Sequence, residues 1–258
     1  MMYALTDTWT MAKRSLRHIV RSLDTIITVV LMPIAFMLLF VYVFGGAIGQ
    51  HTGSAKYIDF VVPSIVVMTV ISGISYAAVR LSMDLQSGII NRFRTMPVAP
   101  SSILGGQALS STISNLFSSF LVILIAFALG FRTSAGLTEW LIFVGILLLF
   151  TLATTWMALF FGLLAKTSEG AGAFSYILIL LIFISPAFVP TSSMTPLLRG
   201  FAENQPMTPI VETMRSLLIS GTPGSKIWVA LVWSLGILIV TYFLSVKIYK
   251  RKTFVVNT

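Results

Sequence analysis

Residues 84–100, DLQSGIINRFRTMPVAP, are a polar, amphipathic stretch set between two long apolar runs, and the fold is read outward from them. Leu85, Ile89, Phe93 and Met96 recur at steps of four, four and three and so share one face of a helix. Asp84, Ser87, Asn91, Arg92 and Arg94 occupy the rest of that wheel. Pro97 ends the helix, because its ring and missing N–H cannot continue the hydrogen-bond ladder. The spacing predicts a short polar helix over 84–97, held outside the bilayer between two crossings.

The rest of the chain supplies those crossings. Hydrophobic residues make up 57% of the 258 positions and charged residues 10%, with a mean hydropathy of +0.96. So little polar surface cannot cover a soluble globule of this size. Several windows exceed the ~20 apolar residues needed to span ~30 Å of hydrocarbon. The sequence predicts an all-α polytopic membrane protein, a single transmembrane domain over 1–258, with six spans over 25–48, 58–83, 101–130, 138–165, 170–190 and 227–248. The run from Thr95 to Phe131 carries no ionisable residue, but Pro97 and Pro100 take up its start, and it reads as one crossing.

Charge sets the expected orientation. With the N-terminus inside, Lys13, Arg14, Arg17, Arg21, Arg80, Arg92, Arg94, Lys166, Lys247, Lys250, Arg251 and Lys252 fall on the cytoplasmic side. Lys56, Arg132, Arg199, Arg215 and Lys226 fall outside. This bias predicts a multi-pass protein of the cell membrane, a bacterial plasma membrane, with both termini cytoplasmic. The net charge of +9 is then topogenic and attracts anionic headgroups, and no separate basic patch with interleaved aromatics points to nucleic acid. Residues 1–24 repeat the amphipathic theme: Leu5, Trp9, Ala12, Leu16, Ile19 and Leu23 form a stripe opposite Lys13, Arg14, Arg17, His18 and Arg21. An interfacial helix is expected there.

Few chemistries fit the remaining residues. The chain has no GxxxxGK[ST] phosphate loop, and GTPGSK at 221–226 has the wrong spacing. His18 and His51 fall on opposite sides of the membrane by this topology and cannot share a metal. No base stands near a serine in a nucleophile pattern, so neither a catalytic residue nor a metal site is expected. Asp24, Asp59, Arg80, Asp84, Glu139 and Glu169 sit at span edges, which argues against proton coupling by intramembrane acids. Arg80 and Asp84, one turn apart, are placed to pair. Ser111, Thr112, Ser114, Asn115, Ser118 and Ser119 make the third span the most polar, suiting close helix contacts or the wall of a path.

Residues 191–226 are too apolar for a free loop and too interrupted to cross. Thr208 is expected to cap a helix with Pro209 at its first position and Gly221 past its end. Ile210, Met214, Leu217 and Leu218 share one face of it, with Glu212 and Arg215 on the other. A re-entrant outer segment before the last span is predicted.

The whole pattern resembles the permease subunits of ABC type-2 exporters, in particular their daunorubicin-resistance and multidrug branch. The likeness rests on the basic N-terminal helix, six spans, the long outer connection, and Asp84, Ser87, Gly88, Arg92, Phe93, Arg94, Thr95, Met96 and Pro97 after the second span. That family usually carries Glu where Asp84 stands and often Thr where Ile89 stands. The resemblance implies that 84–97 is a coupling helix docking on a separate cytoplasmic ATPase, with Asp84, Ser87, Gly88, Arg92, Phe93, Arg94, Met96 and Pro97 carrying the contact. It implies a secondary contact through Lys166 and Glu169. A substrate path would run between two permease chains along the first, second and fifth spans, past Phe36, Phe40, Met68, Ser72, Tyr76 and Phe183. Ile210, Met214 and Leu217 would close its outer exit.

The partners implied are two ABC ATPase subunits, a second permease chain, membrane lipids and a hydrophobic or amphipathic small molecule. ATP and magnesium would bind the ATPase, leaving this chain a non-catalytic permease without a cofactor of its own. Export of drugs, antibiotics or lipid-like compounds is the leading expectation, with lipid-linked polysaccharide export as the alternative. An ATP-independent channel or secondary carrier is the competing class.

Overall fold

The computed structural model describes residues 27–48, 57–87 and 100–254. The expected interfacial helix over 1–24 and the coupling-helix residues from Gly88 to Pro97 lie outside the described residues. Among the described residues every regular element is helical. The first, α1 (27–48), runs through Ile27–Leu31, Met32–Leu38, Leu39–Phe44 and Gly45–Ile48, the first and third wound as π-helix. Then follow α2 (Tyr57–Gln86), α3 (Pro100–Ala128), α4 (Leu137–Leu164) and α5 (Ser168–Phe183). Two short helices, α6 (Pro196–Asn204) and α7 (Met207–Arg215), precede the last, α8 (Ile227–Phe254).

Four helices, α2, α3, α4 and α8, are long and apolar enough to cross a bilayer, as expected of a polytopic membrane protein. Two of the expected spans coincide with shorter apolar helices, Met32–Phe44 and Ser168–Phe183. The fifth stops at Phe183 and continues as turns through Pro186 to Pro190, where the prolines withhold the N–H groups a helix needs.

The long helix α2 is the hub, packed by α1, α3, α4, α5 and α7. Its apolar residues run right round the wheel, so burial on one side alone would strand half of them. In its most apolar window 83% of residues are buried, against 17% for α8, which places α2 at the centre and α8 at the rim. Small side chains allow the closest crossings. Gly162 of α4 lies so near Ala78 that a Cβ there would meet the Ala78 carbonyl oxygen at 2.8 Å. Gly172 of α5 similarly faces Ser75 and Val79. On α8, Ala230, Ser234, Thr241, Ser245 and Tyr249 form the buried stripe, while Trp228, Val232, Leu235, Ile239 and Phe243 remain exposed for lipid.

The polar side chains of α3 turn inward. Gln107, Ser110, Ser111, Thr112, Asn115, Ser118 and Ser119 are buried, whereas Phe117, Phe120 and Leu124 are exposed. Ser110 and Thr112 donate to carbonyls of their own helix, Gln107 O and Ala108 O, at 3.0 and 2.8 Å.

Two local expectations are corrected. Arg80 does not pair with Asp84: its guanidinium donates to the Tyr76 hydroxyl at 3.2 Å, and the Asp84 carboxylate accepts from Gln107. Nor does Thr208 cap α7, which begins one residue earlier, at Met207. The Thr208 hydroxyl donates instead to the Ala202 carbonyl and ties α7 to α6. Gly221 does stand past the end, after the π-helical turn Ser216–Ser220, with a left-handed φ of 61° that a side chain would strain.

Candidate functional site

The two ends of α2, a helix of 30 residues, carry the polar networks that matter. At the Asp84 end, Gln107 Nε2 of α3 donates to Asp84 Oδ2 at 3.0 Å. Gln107 is buried, so this amide gives a low-dielectric partner to a half-buried carboxylate and fixes the carboxylate's direction. Gln86 Nε2 donates to Ser82 Oγ at 3.0 Å and to the Lys166 carbonyl at 3.3 Å, while Ser82 Oγ donates to the Thr167 carbonyl at 3.4 Å. Ser87 extends the turn, its N–H donating to Met83 O at 2.9 Å and its hydroxyl to Asp84 O at 3.3 Å. The chain therefore leaves α2 from a base bonded both to α3 and to the 165–167 connection.

That connection opens α5 with a proper cap. Thr167 Oγ1 accepts from the Gly170 N–H at 3.1 Å, satisfying one of the helix's free donors. The backbone N–H of Glu169 itself, then the Ser168 hydroxyl, hold the Glu169 carboxyl below its usual range. Lys166 and Glu169 are both exposed at this end.

At the opposite end lies an aromatic cluster. Phe40 of α1 stacks on Phe188 with centroids 4.3 Å apart, Phe183 lies 5.0 Å from Phe188, and Phe36 meets Phe183 edge-on at 6.3 Å. Three of the sequence-derived path residues, Phe36, Phe40 and Phe183, thus come together, and Phe188 joins them. Phe183 is 39% exposed, so the cluster opens to the surface of the chain. Met68 is buried in the core of α2, and Ser72 and Tyr76 are half-buried further toward the Asp84 end.

Ile210 and Met214 of α7, and Leu217 in the π-helical turn after it, are fully buried. Arg215, expected with Glu212 on the opposite face, is turned inward. It donates from Nε to Phe60 O at 3.1 Å and from one terminal nitrogen to Ser64 Oγ, Pro186 O and Ala187 O at 3.0, 2.8 and 3.0 Å. Both faces of α7 are thus occupied, one by apolar contacts and the other by a cation. Sequence reasoning passed over Gln107 and Phe188, and it named Arg215 without placing it inside the bundle. Gln107 and Arg215 each offer planar amide or guanidinium donors within the bundle, and that was the available signal.

Comparison with known proteins agrees with the architecture. Residues 6–219 match the model of the ABC-2 type transporter family. The chain is 28% identical, over 88% of its length and 80% of the relative's, to a daunorubicin resistance ABC transporter permease protein, DrrB1, of Streptomyces coeruleorubidus. It is 25% identical, over 92% of its length and 85% of the relative's, to a probable doxorubicin resistance ABC transporter permease protein, DrrC, of Mycobacterium tuberculosis. With a match that spans most of an all-helical, bilayer-length bundle, this chain belongs to the ABC-2 type transporter family.

Proposed function

We propose that the chain is the membrane-spanning permease subunit of an exporter that moves amphipathic drug-like or lipid-like compounds out of the cytoplasm or inner leaflet. The energy comes from ATP hydrolysis in a separate ATPase subunit, delivered through the coupling helix over 84–97. Two permease chains and two ATPases form the working unit, and this chain carries no catalytic residue. The bias of Lys and Arg toward the Asp84 end supports a cytoplasmic position for it, with six spans and both termini inside. The observation that carries the reading is the Asp84 base. A segment that must transmit a push needs a stiff attachment, and Asp84, Ser82 and Gln86 supply one by bonding to α3 and the 166–167 carbonyls. The names of the relatives, resistance permeases for daunorubicin and doxorubicin, support the substrate class, as does the apolar aromatic cluster of α1 and α5.

The test is reconstitution with the cognate ATPase in proteoliposomes. Gly88→Trp and Arg92→Glu are expected to leave insertion and expression intact and to abolish substrate-stimulated ATP hydrolysis. Stimulated hydrolysis at the wild-type rate in both variants would overturn the coupling role.

A further inference from the structure

Arg215 ends α7 in an unusual setting for a cation. Its four acceptors come from two other elements: Phe60 O and Ser64 Oγ on α2, and Pro186 O and Ala187 O in the turn that follows α5. Its guanidinium also lies over the Phe60 ring, 3.6 Å from the centroid. Among the described residues no carboxylate forms an ion pair with it, and the nearby Glu212 is bonded to Lys226 at 2.9 Å. The same turn is held from α2 by two more side chains: Ser64 Oγ donates to Ala187 O at 2.6 Å and the Tyr57 hydroxyl to Phe188 O at 3.0 Å. The carbonyls of residues 186–188, left over where α5 breaks at its prolines, are therefore all satisfied by side chains of α7 and α2. Phe188, carried on that turn, stacks on Phe40 and Phe183 and so closes the aromatic cluster.

We infer that Arg215 is the positioning residue of the exit gate: its planar fork pins α7 and the 184–190 turn to α2 while the path is shut. Releasing it frees the turn and lifts Phe188 from the cluster. A lysine does not replace it: an ammonium at the place of that terminal nitrogen would have neither the Nε bond to Phe60 O nor the planar group that lies over the Phe60 ring. The inference rests on the permease reading, which places a path beside α1 and α5.

The chain contains no cysteine, so one introduced thiol reports accessibility without background. Ser72→Cys, half-buried on α2, is labelled in intact cells by a membrane-impermeant maleimide, with no ATPase partner present. Removing a charge-assisted hydrogen bond shifts an open–closed equilibrium by about tenfold. Arg215→Met and Arg215→Lys are each expected to raise the labelling rate by at least about that factor. Ser64→Ala, which deletes only an oxygen and is expected to fold, should raise it to a smaller extent. Wild-type labelling in Arg215→Lys would show that charge alone suffices, and wild-type labelling in Ser64→Ala that the network does not hold the gate; either result overturns the inference. Because labelling needs no ATP, raised labelling alongside ATPase-independent transport would sink the exporter reading and leave the gate standing.

Discussion

Replacing Gly162 by alanine tests whether the crossing of α2 and α4 is as close as the structure has it. The added Cβ would stand 2.8, 3.1 and 3.3 Å from the carbonyl oxygen, Cα and carbonyl carbon of Ala78. All three are backbone atoms and cannot rotate away, so the helices must part by about 0.6 Å or more before the closest pair reaches the 3.4–4 Å of ordinary van der Waals contact. Overpacking of this kind costs about 1–3 kcal/mol. Alanine also gains up to ~1 kcal/mol of helix propensity over glycine, which would mask part of the loss. Gly145, on the same helix with nothing within 4 Å of its added Cβ, takes the same gain without the clash. The difference between Gly162→Ala and Gly145→Ala is therefore the packing term alone. At ~2–4 °C per kcal/mol for a chain of this size, Gly162→Ala loses its monodisperse form roughly 2–12 °C below Gly145→Ala. The assay is size-exclusion profiling of both variants in one detergent after stepwise heating. Equal midpoints would refute the close crossing.

Other outcomes follow from single contacts. Gln107→Ala strips Asp84 of its amide partner, and loss of a hydrogen bond to a charged group, about 1.5–3 kcal/mol when buried and less at a half-buried carboxylate, should lower transport per ATP hydrolysed in reconstituted vesicles. Phe188→Ala removes the ring stacked on Phe40 and is expected to change the relative export of bulky and small aromatic compounds while leaving basal ATP hydrolysis alone. Gly221→Ala forces a side chain into left-handed backbone, with its Cβ 3.2 Å from Ser134 O, and should destabilise the protein by about 1–2 kcal/mol in the same heating assay. Arg199, bonded to Glu203 at 2.8 Å, holds that carboxyl below its usual range. Its contribution is present above the ordinary carboxylate pKa and fades as pH falls through the depressed one. Because the pair is solvent-exposed, Glu203→Gln should leave the midpoint at pH 7 unchanged.

Hydropathy and length made most of the fold legible, because a bilayer demands long apolar helices and the chain has little else. The breaks were legible too, since Pro186, Pro190 and Gly221 each impose a backbone constraint that needs no tertiary knowledge. What the sequence could not carry was which helix sits at the centre. In lipid, exposed and buried helix faces are equally apolar, so the wheel of α2 looks like that of α8, and only the glycines of α4 and α5 hint at who approaches whom. Arg215 was misplaced for a related reason. A wheel assumes one polar environment outside the helix, but the broken end of α5 creates a second one inside, three carbonyls of which Arg215 takes two and the Tyr57 hydroxyl the third.

The placement of both polar networks on α2 gives the proposed cycle a simple mechanical form. Ser64 and Asp84 are separated by 20 residues, about 30 Å of helix at 1.5 Å per residue. The helix between them is mostly buried and crossed closely at Ala78 and Ser75, so it has little room to bend there. Its one internal proline is Pro63, immediately before Ser64 and three residues after Phe60, inside the span that Arg215 grips. A push received at Asp84 would then be carried as a rigid displacement and absorbed where the hydrogen-bond ladder is already interrupted. There the bonds of Arg215 to α2 and to the 186–187 carbonyls compete with one another, because the two sets of acceptors belong to elements that would move apart. In the proposed cycle the gate needs no separate signal, since the helix that receives the push also holds half of the latch.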